Sequence, residues 1–272
     1  MKDGYELLDS GDGRKFERFG DIRLVRPCSQ AMWRPQLSPA EWGKADASFD
    51  REEGNAWHGR ARLPKEWTIE TAGIRFRLSG TDFGHLGIFP EQRASWRWLR
   101  GVVKKGMSVL NLFAYSGGST MASALAGASV CHVDAAKGMV EWARKNAALN
   151  GLDGHPIRWI VDDAHAFMRR EIRRGHRYDG VILDPPTFGR GANGQLYKIE
   201  RDLKETLALV RDLLSERPAF VLFSSHTPGL TLKVAENILS QVFPRATCAA
   251  EEMCLEGPRL PCPSGLSCRV TF

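Results

Sequence analysis

The chain predicts an α/β fold, a mostly parallel sheet covered on both faces by helices, with a small β-rich appendage ahead of it. Three observations carry this reading. Beyond residue 85, short apolar runs alternate with stretches of helix length and helical periodicity. Four consecutive apolar runs end in a polar residue, as parallel strands do where they meet a ligand-binding edge. The last two runs have no helix-length segment between them, so they pair antiparallel, because a parallel pair needs a crossover.

The appendage is assigned to residues 1–85. Here apolar and polar residues alternate in short runs broken by Gly, Pro and Asp, as in "KFERFGDIRLVRP". The triplet "TAG" predicts a hairpin turn joining "WTIE" to "IRFRL". Trp33, Trp42, Trp57 and Trp67 supply core to this layer, and residues 34–60 read as loop. The second domain is assigned to residues 86–272. Its strands are expected at 108–113, 129–134, 157–161, 180–184, 219–225, 248–255 and 266–272. Its helices are expected near 91–100, 118–127, 136–149, 164–174, 200–215 and 230–242.

Composition narrows the class. No run approaches the roughly 18 apolar residues of a membrane span, and "MKDGYELLDSGDG" lacks the apolar region of a secretory signal. The six cysteines show no C-x-x-C and no zinc-ligand spacing. These features predict a cytoplasmic protein with no membrane partner and no metal, a monomer or homodimer. A net charge of +6 permits an anionic partner without requiring one.

The chemistry concentrates at the strand ends. The first strand of the large domain runs into Asn111, Phe113 and Tyr115, then Ser116-Gly117-Gly118. The next ends in Asp134, the third in Asp162-Asp163, the fourth in Asp184-Pro185-Pro186. Singly, Asp134 or Asp163 can be a helix cap and Asp-Pro-Pro a turn; their coincidence at successive strands points to one ligand. The glycine turn is neither G-x-G-x-x-G nor G-x-x-x-x-G-K-[ST], and it lacks the lysine that a triphosphate wants. Asp134 lies 16 residues past Gly118 and suits ribose hydroxyls. Asp163 suits an exocyclic adenine amine, which only donates. An adenosine carrying a cationic centre and no phosphate fits this set: S-adenosylmethionine.

The segments "NLFAYSGG", "HVDAAKGMVEWARKNAALNGL", "VDDAHAF" and "ILDPPTFGRG" resemble the class I S-adenosylmethionine-dependent methyltransferases, in the branch of the bacterial large-subunit ribosomal RNA enzymes. "GHLGIFPEQRASWRWL" resembles that branch's lead-in segment. The resemblance implies a Rossmann-like seven-stranded sheet with an antiparallel last strand, and S-adenosylmethionine as cofactor. It implies that Asn111, Phe113, Tyr115, Ser116 and Gly117 line the methionine part, Asp134 and Ala135 the ribose, and Asp163 and Ala164 the adenine. Gln92 and Arg93 would close the pocket, and Asp184, Pro185, Pro186 and Phe188 would serve catalysis between the methyl group and the substrate. Relatives that methylate cytosine carbon five carry "SCS" after the fifth strand, whereas this chain has "FSSHTPGL". The lost thiol disfavours a covalent route and favours a nitrogen acceptor on an RNA base. Methylation of a protein or small molecule, and binding of the cofactor without catalysis, stay open, as does a role for His226.

Overall fold

A computed structural model of the chain describes residues 3–51, 54–190 and 196–272. Two compact units emerge, one of Met1–Arg93 with Met253–Ser264, the other of Ala94–Glu252 with Gly265–Phe272. Among the described residues, no helix is long and apolar enough to cross a membrane, and no group of acidic, histidine and cysteine side chains could hold a metal ion.

The first unit carries strands β1 (Tyr5–Gly11), β2 (Arg14–Phe19), β3 (Ile22–Pro27), β4 (Ala47–Asp50) and β5 (Ala56–His58), joined in that order in one sheet. All neighbours are antiparallel except β3 and β4. Phe16, Glu17 and Phe19 of β2 are buried, so both faces of this strand are covered, while Arg14 at its start is exposed. A buried pair braces the sheet, with both oxygens of Glu17 accepting from Arg26 at 2.8 and 2.9 Å and Tyr5 donating its hydroxyl at 3.0 Å. A second ribbon pairs β6 (Trp67–Thr71) with β7 (Ile74–Leu78). Its two-residue turn, Ala72-Gly73, has φ of 51° and 70°, the left-handed pair that a tight hairpin needs.

Residues 34–60 are not a loop. They hold α1 (Pro39–Trp42), β4 and β5. The cause is a tertiary anchor: the buried Asp9 accepts from Gln36 N–H, Leu37 N–H and the Trp42 indole at 2.7–3.0 Å. Ser38 caps α1, and Ala47 and Phe49 bury the inner face of β4.

The second unit is built on a seven-stranded sheet. Its strands are β8 (Ser108–Leu112), β9 (Ser129–Asp134), β10 (Ile157–Val161), β11 (Gly180–Leu183), β14 (Phe220–Ser225), β15 (Thr247–Leu255) and β16 (Cys262–Thr271), in the spatial order β10-β9-β8-β11-β14-β16-β15. The first five are parallel, and β16 runs antiparallel to β14. The helices are α2 (Arg93–Val102), α3 (Gly118–Leu125), α4 (Lys137–Leu149), α5 (Ala164–Arg173), α6 (Ile199–Leu213) and α7 (Leu232–Val242). The core lies under the central strands, from Leu110 and Leu112 through Val181 and Leu183 to Val221 and Phe223. A short ribbon of β12 (Phe188–Arg190) and β13 (Leu196–Lys198) follows the Asp-Pro-Pro segment and was not expected. Gly191, at the end of "ILDPPTFGRG", lies outside the described residues.

Candidate active site

The chain leaves β8 toward β9 on one side and pairs it with β11 on the other. That reversal opens a crevice beyond the carboxyl ends of β8 and β11. The turn after β8 is bent by three left-handed residues, Phe113 (φ 53°), Tyr115 (49°) and Gly117 (86°). Two of them carry side chains, so the turn stores strain that its surroundings must hold.

Asp134, at the end of β9, holds it. Tyr115 N–H donates to Asp134 Oδ2 at 2.8 Å, and Ala136 N–H donates to Oδ1 at 2.8 Å. One carboxylate thereby fixes both the strained turn and the start of α4, and each oxygen keeps a lone pair for a ribose hydroxyl. Burial pushes the Asp134 carboxyl up, and the Ala136 and Tyr115 amides pull it back.

Beneath the turn lies a chain of buried polar groups. Asn111 Nδ2 donates to Thr120 Oγ1 at 2.9 Å, which leaves the Thr120 hydroxyl to donate to His132 Nδ1 at 2.9 Å. Burial, with the Arg144 charge, pushes His132 down to about 3, so it is a neutral brace. Asn146 Nδ2 donates to Ser116 O at 2.9 Å. Asn111 and Ser116 are both buried; Asn111 acts through α3, and Ser116 through its backbone carbonyl. Helix α3 opens at Gly117 with no side-chain cap, so its first N–H groups can receive a carboxylate. Gly118 admits no side chain, since a Cβ there would stand 2.5 Å from Cζ2 of the buried Trp96.

Asp163 caps α5, its Oδ1 accepting from Ala166 N–H at 2.9 Å, and Ala164 is buried behind it. Asp162 is tied to Arg170. Ala135 is half-buried between Asp134 and the α4 start. Phe113 packs at 5.3 Å and a tilt of 57° against Tyr197 of the β12–β13 ribbon, and Tyr197 packs at 5.8 Å on His165. Nothing in the spacing of the sequence announces Tyr197.

At the end of β11, Asp184 Oδ1 lies 3.6 Å from His226 Nδ1. Pro185 is buried, Pro186 half-buried and Phe188 exposed. The Thr187 and Thr227 hydroxyls meet at 2.8 Å, fastening the Asp-Pro-Pro segment to the end of β14. Ser225 is buried, and its Oγ accepts from Thr227 N–H at 3.2 Å. Gln92 and Arg93 belong to the first unit. There Arg93 donates to Pro90 O at 3.2 Å, lies 4.8 Å over the Tyr5 ring and reaches Asp3 at 3.5 Å.

The residues of the second unit fit an adenosine carrying an amino-acid tail. They supply a helix start with no side-chain cap, a strand-end carboxylate beside it and no lysine in the turn. The family described as S-adenosylmethionine-dependent methyltransferase matches residues 50–222. Ribosomal RNA large subunit methyltransferase K/L of Shewanella baltica is 34% identical over 169 residues, 61% of this chain and 23% of that protein. Its namesake from Shewanella frigidimarina is 34% identical over 160 residues, 55% of this chain and 21% of that protein. The matched segment thus spans under a quarter of those relatives. The crystal structure of a SAM-dependent methyltransferase from Agrobacterium tumefaciens superposes with a TM-score of 0.93 at 34% identity, over 98% of this chain and 90% of that one.

Proposed function

This chain belongs to the S-adenosylmethionine-dependent methyltransferases, and we propose that its acceptor is a nitrogen atom of an RNA base. S-adenosylmethionine supplies an electrophilic methyl group on a sulfonium. Within this reading Asn111, Phe113, Tyr115, Ser116 and Gly117 shape the methionine end, Asp134 and Ala135 the ribose end, and Asp163 and Ala164 the adenine end. The large domain is residues 86–272, and the protein works in the cytoplasm.

The observation that carries the acceptor is Ser225. Attack on cytosine carbon five requires a thiolate under the base. Ser225 stands where relatives of that type keep the thiol, and its hydroxyl oxygen already accepts from Thr227 N–H. Two buried thiols of the sheet are unsuited: burial pushes Cys131 up to about 11 and Cys268 to about 12. A ring nitrogen with a free lone pair needs no such help. It needs a planar seat, which Pro185, Pro186 and the exposed Phe188 offer, and a negative group to stabilise the cation it becomes, which is Asp184. His226, 3.6 Å from Asp184, is placed to take the proton that an exocyclic amine would release. Guanine N7, which needs neither thiol nor base, is slightly preferred over an exocyclic amine, which would call on His226. The ribosomal RNA methyltransferases among the relatives support RNA as substrate.

The test is transfer of tritiated methyl groups from S-adenosylmethionine to total RNA and to total protein from cells lacking the gene. Label in RNA, with no trapped adduct on 5-fluorocytosine-containing RNA, is expected. Label in protein alone, or a stable adduct, overturns the reading.

A further inference from the structure

Two cysteines from opposite ends of the sequence meet in the first unit. Cys28 Sγ and Cys262 Sγ lie 3.2 Å apart. Each is held by its backbone rather than by chance of a flexible loop. Cys28 N–H donates to Gly13 O at 2.7 Å directly after β3, and Ala31 N–H donates to Cys28 O at 3.0 Å. Cys262 opens β16 and is fully buried. The segment that carries it is clamped on β1: Arg259 donates to Leu8 O at 2.8 Å, and Gly257 comes so close that a Cβ would stand 1.9 Å from Leu7 O.

We propose that Cys28 and Cys262 are a modification site for peroxides, which oxidise the pair to a disulfide that fastens the two chain segments of this unit to each other. The two thiols are not equivalent. Cys28 is half-buried beside the exposed Ser29 and Gln30, whereas Cys262 has no exposed surface. Donation from Cys262, then the Lys15 charge and the amides of Ala31 and Gln30, pull Cys28 down to about 6, against the effect of burial. The bond to Cys28 and burial push Cys262 up. Cys28 is thus the attacking thiolate and Cys262 the resolving thiol.

The chemistry balances with hydrogen peroxide or an alkyl hydroperoxide as oxidant. The Cys28 thiolate attacks one peroxide oxygen; an S–O bond forms, the O–O bond breaks, and hydroxide (alkoxide, from an alkyl hydroperoxide) leaves to take up the proton Cys28 had lost. Cys262 sulfur then attacks the sulfenic sulfur of Cys28. The S–S bond forms, the S–O bond breaks, and the Cys262 proton leaves with the hydroxyl as water. Two electrons pass from the sulfurs to the peroxide. A disulfide needs the sulfurs at about 2.05 Å, so they close by roughly 1 Å, within reach of side-chain torsions.

The experiment treats the full chain with hydrogen peroxide, blocks remaining thiols and maps peptides without reduction. A Cys28–Cys262 cross-linked peptide, lighter by two hydrogens and restored by dithiothreitol, is expected. Cys262→Ser should instead accumulate Cys28 sulfenic acid, trapped by a 1,3-dione, and Cys28 in the untreated wild-type chain should alkylate at neutral pH roughly tenfold faster than Cys131. Cross-links confined to other cysteines, or a Cys28 that alkylates no faster than Cys131, overturn the proposal, and both are read in the unmutated protein.

Discussion

Replacing Asp134 by Asn isolates what its charge does at nearly constant shape. Both oxygens accept backbone N–H groups, from Tyr115 and Ala136, each at 2.8 Å. The amide has only one acceptor, so its NH2 must face one of those donors. If it faces Tyr115, the turn loses the bond that holds a non-glycine residue at φ 49°, a conformation costing about 1–2 kcal/mol. A ribose hydroxyl meanwhile loses a charged acceptor, worth about 1.5–3 kcal/mol. Together these predict a loss of about 3 kcal/mol, or roughly a hundredfold, in affinity for S-adenosylhomocysteine. Calorimetric titration of the wild type and Asp134→Asn reads this directly. Adding Tyr115→Gly to the Asn variant should recover part of the loss, because glycine adopts the left-handed turn without strain. An Asp134→Asn protein that binds within about threefold of wild type would refute the reasoning and reduce Asp134 to a helix cap.

Asp184→Ala should leave S-adenosylhomocysteine affinity nearly unchanged and lower turnover by roughly tenfold to a hundredfold, measured by methyl incorporation. Gly118→Ala should destabilise by about 1–3 kcal/mol, since its Cβ would press on Trp96 Cζ2 at 2.5 Å; thermal melts read this, and Trp96→Phe in combination should restore part of it. Glu171 has no exposed surface. Burial would raise its carboxyl, but hydrogen bonds from Arg158, Tyr178 and His176 prevail and hold it at about 2. A depressed carboxyl contributes stability above its unfolded value, and that contribution disappears as pH falls from about 4.5 toward about 2. Urea midpoints should show Glu171→Gln less stable than wild type at pH 7, with the gap narrowing across that acid window.

The second unit was legible in the sequence to within a residue or two at most strands. Central parallel strands such as "VILD" are buried on both faces and read as unbroken apolar runs closed by a polar residue. The first unit was harder to read because its order is tertiary. Nothing local in "ASFD" announces β4; the strand exists because Asp9, some forty residues earlier, collects the amides of Gln36 and Leu37. The β12–β13 ribbon is three residues long on each side and draws on Tyr197 packing against Phe113. At the site, Asp134 and Asp184 were visible as strand-end carboxylates. Their partners were not, because Tyr115 meets Asp134 only through a left-handed backbone and His226 meets Asp184 only through the pairing of β11 with β14.

The position of β16 bears on how the chain is made. It follows both β14 and β15 in the chain, yet it sits between them rather than at an edge. Until it emerges, β14 has a partner on one side only, and all six of its residues are of the kind buried in the finished protein. A nascent chain therefore presents an apolar strand with an open row of N–H and C=O groups, the geometry most prone to pairing with another chain. Sheet closure waits on β16, so ribosomal stalling or frameshifting ahead of Cys262 should yield aggregating product rather than an active enzyme.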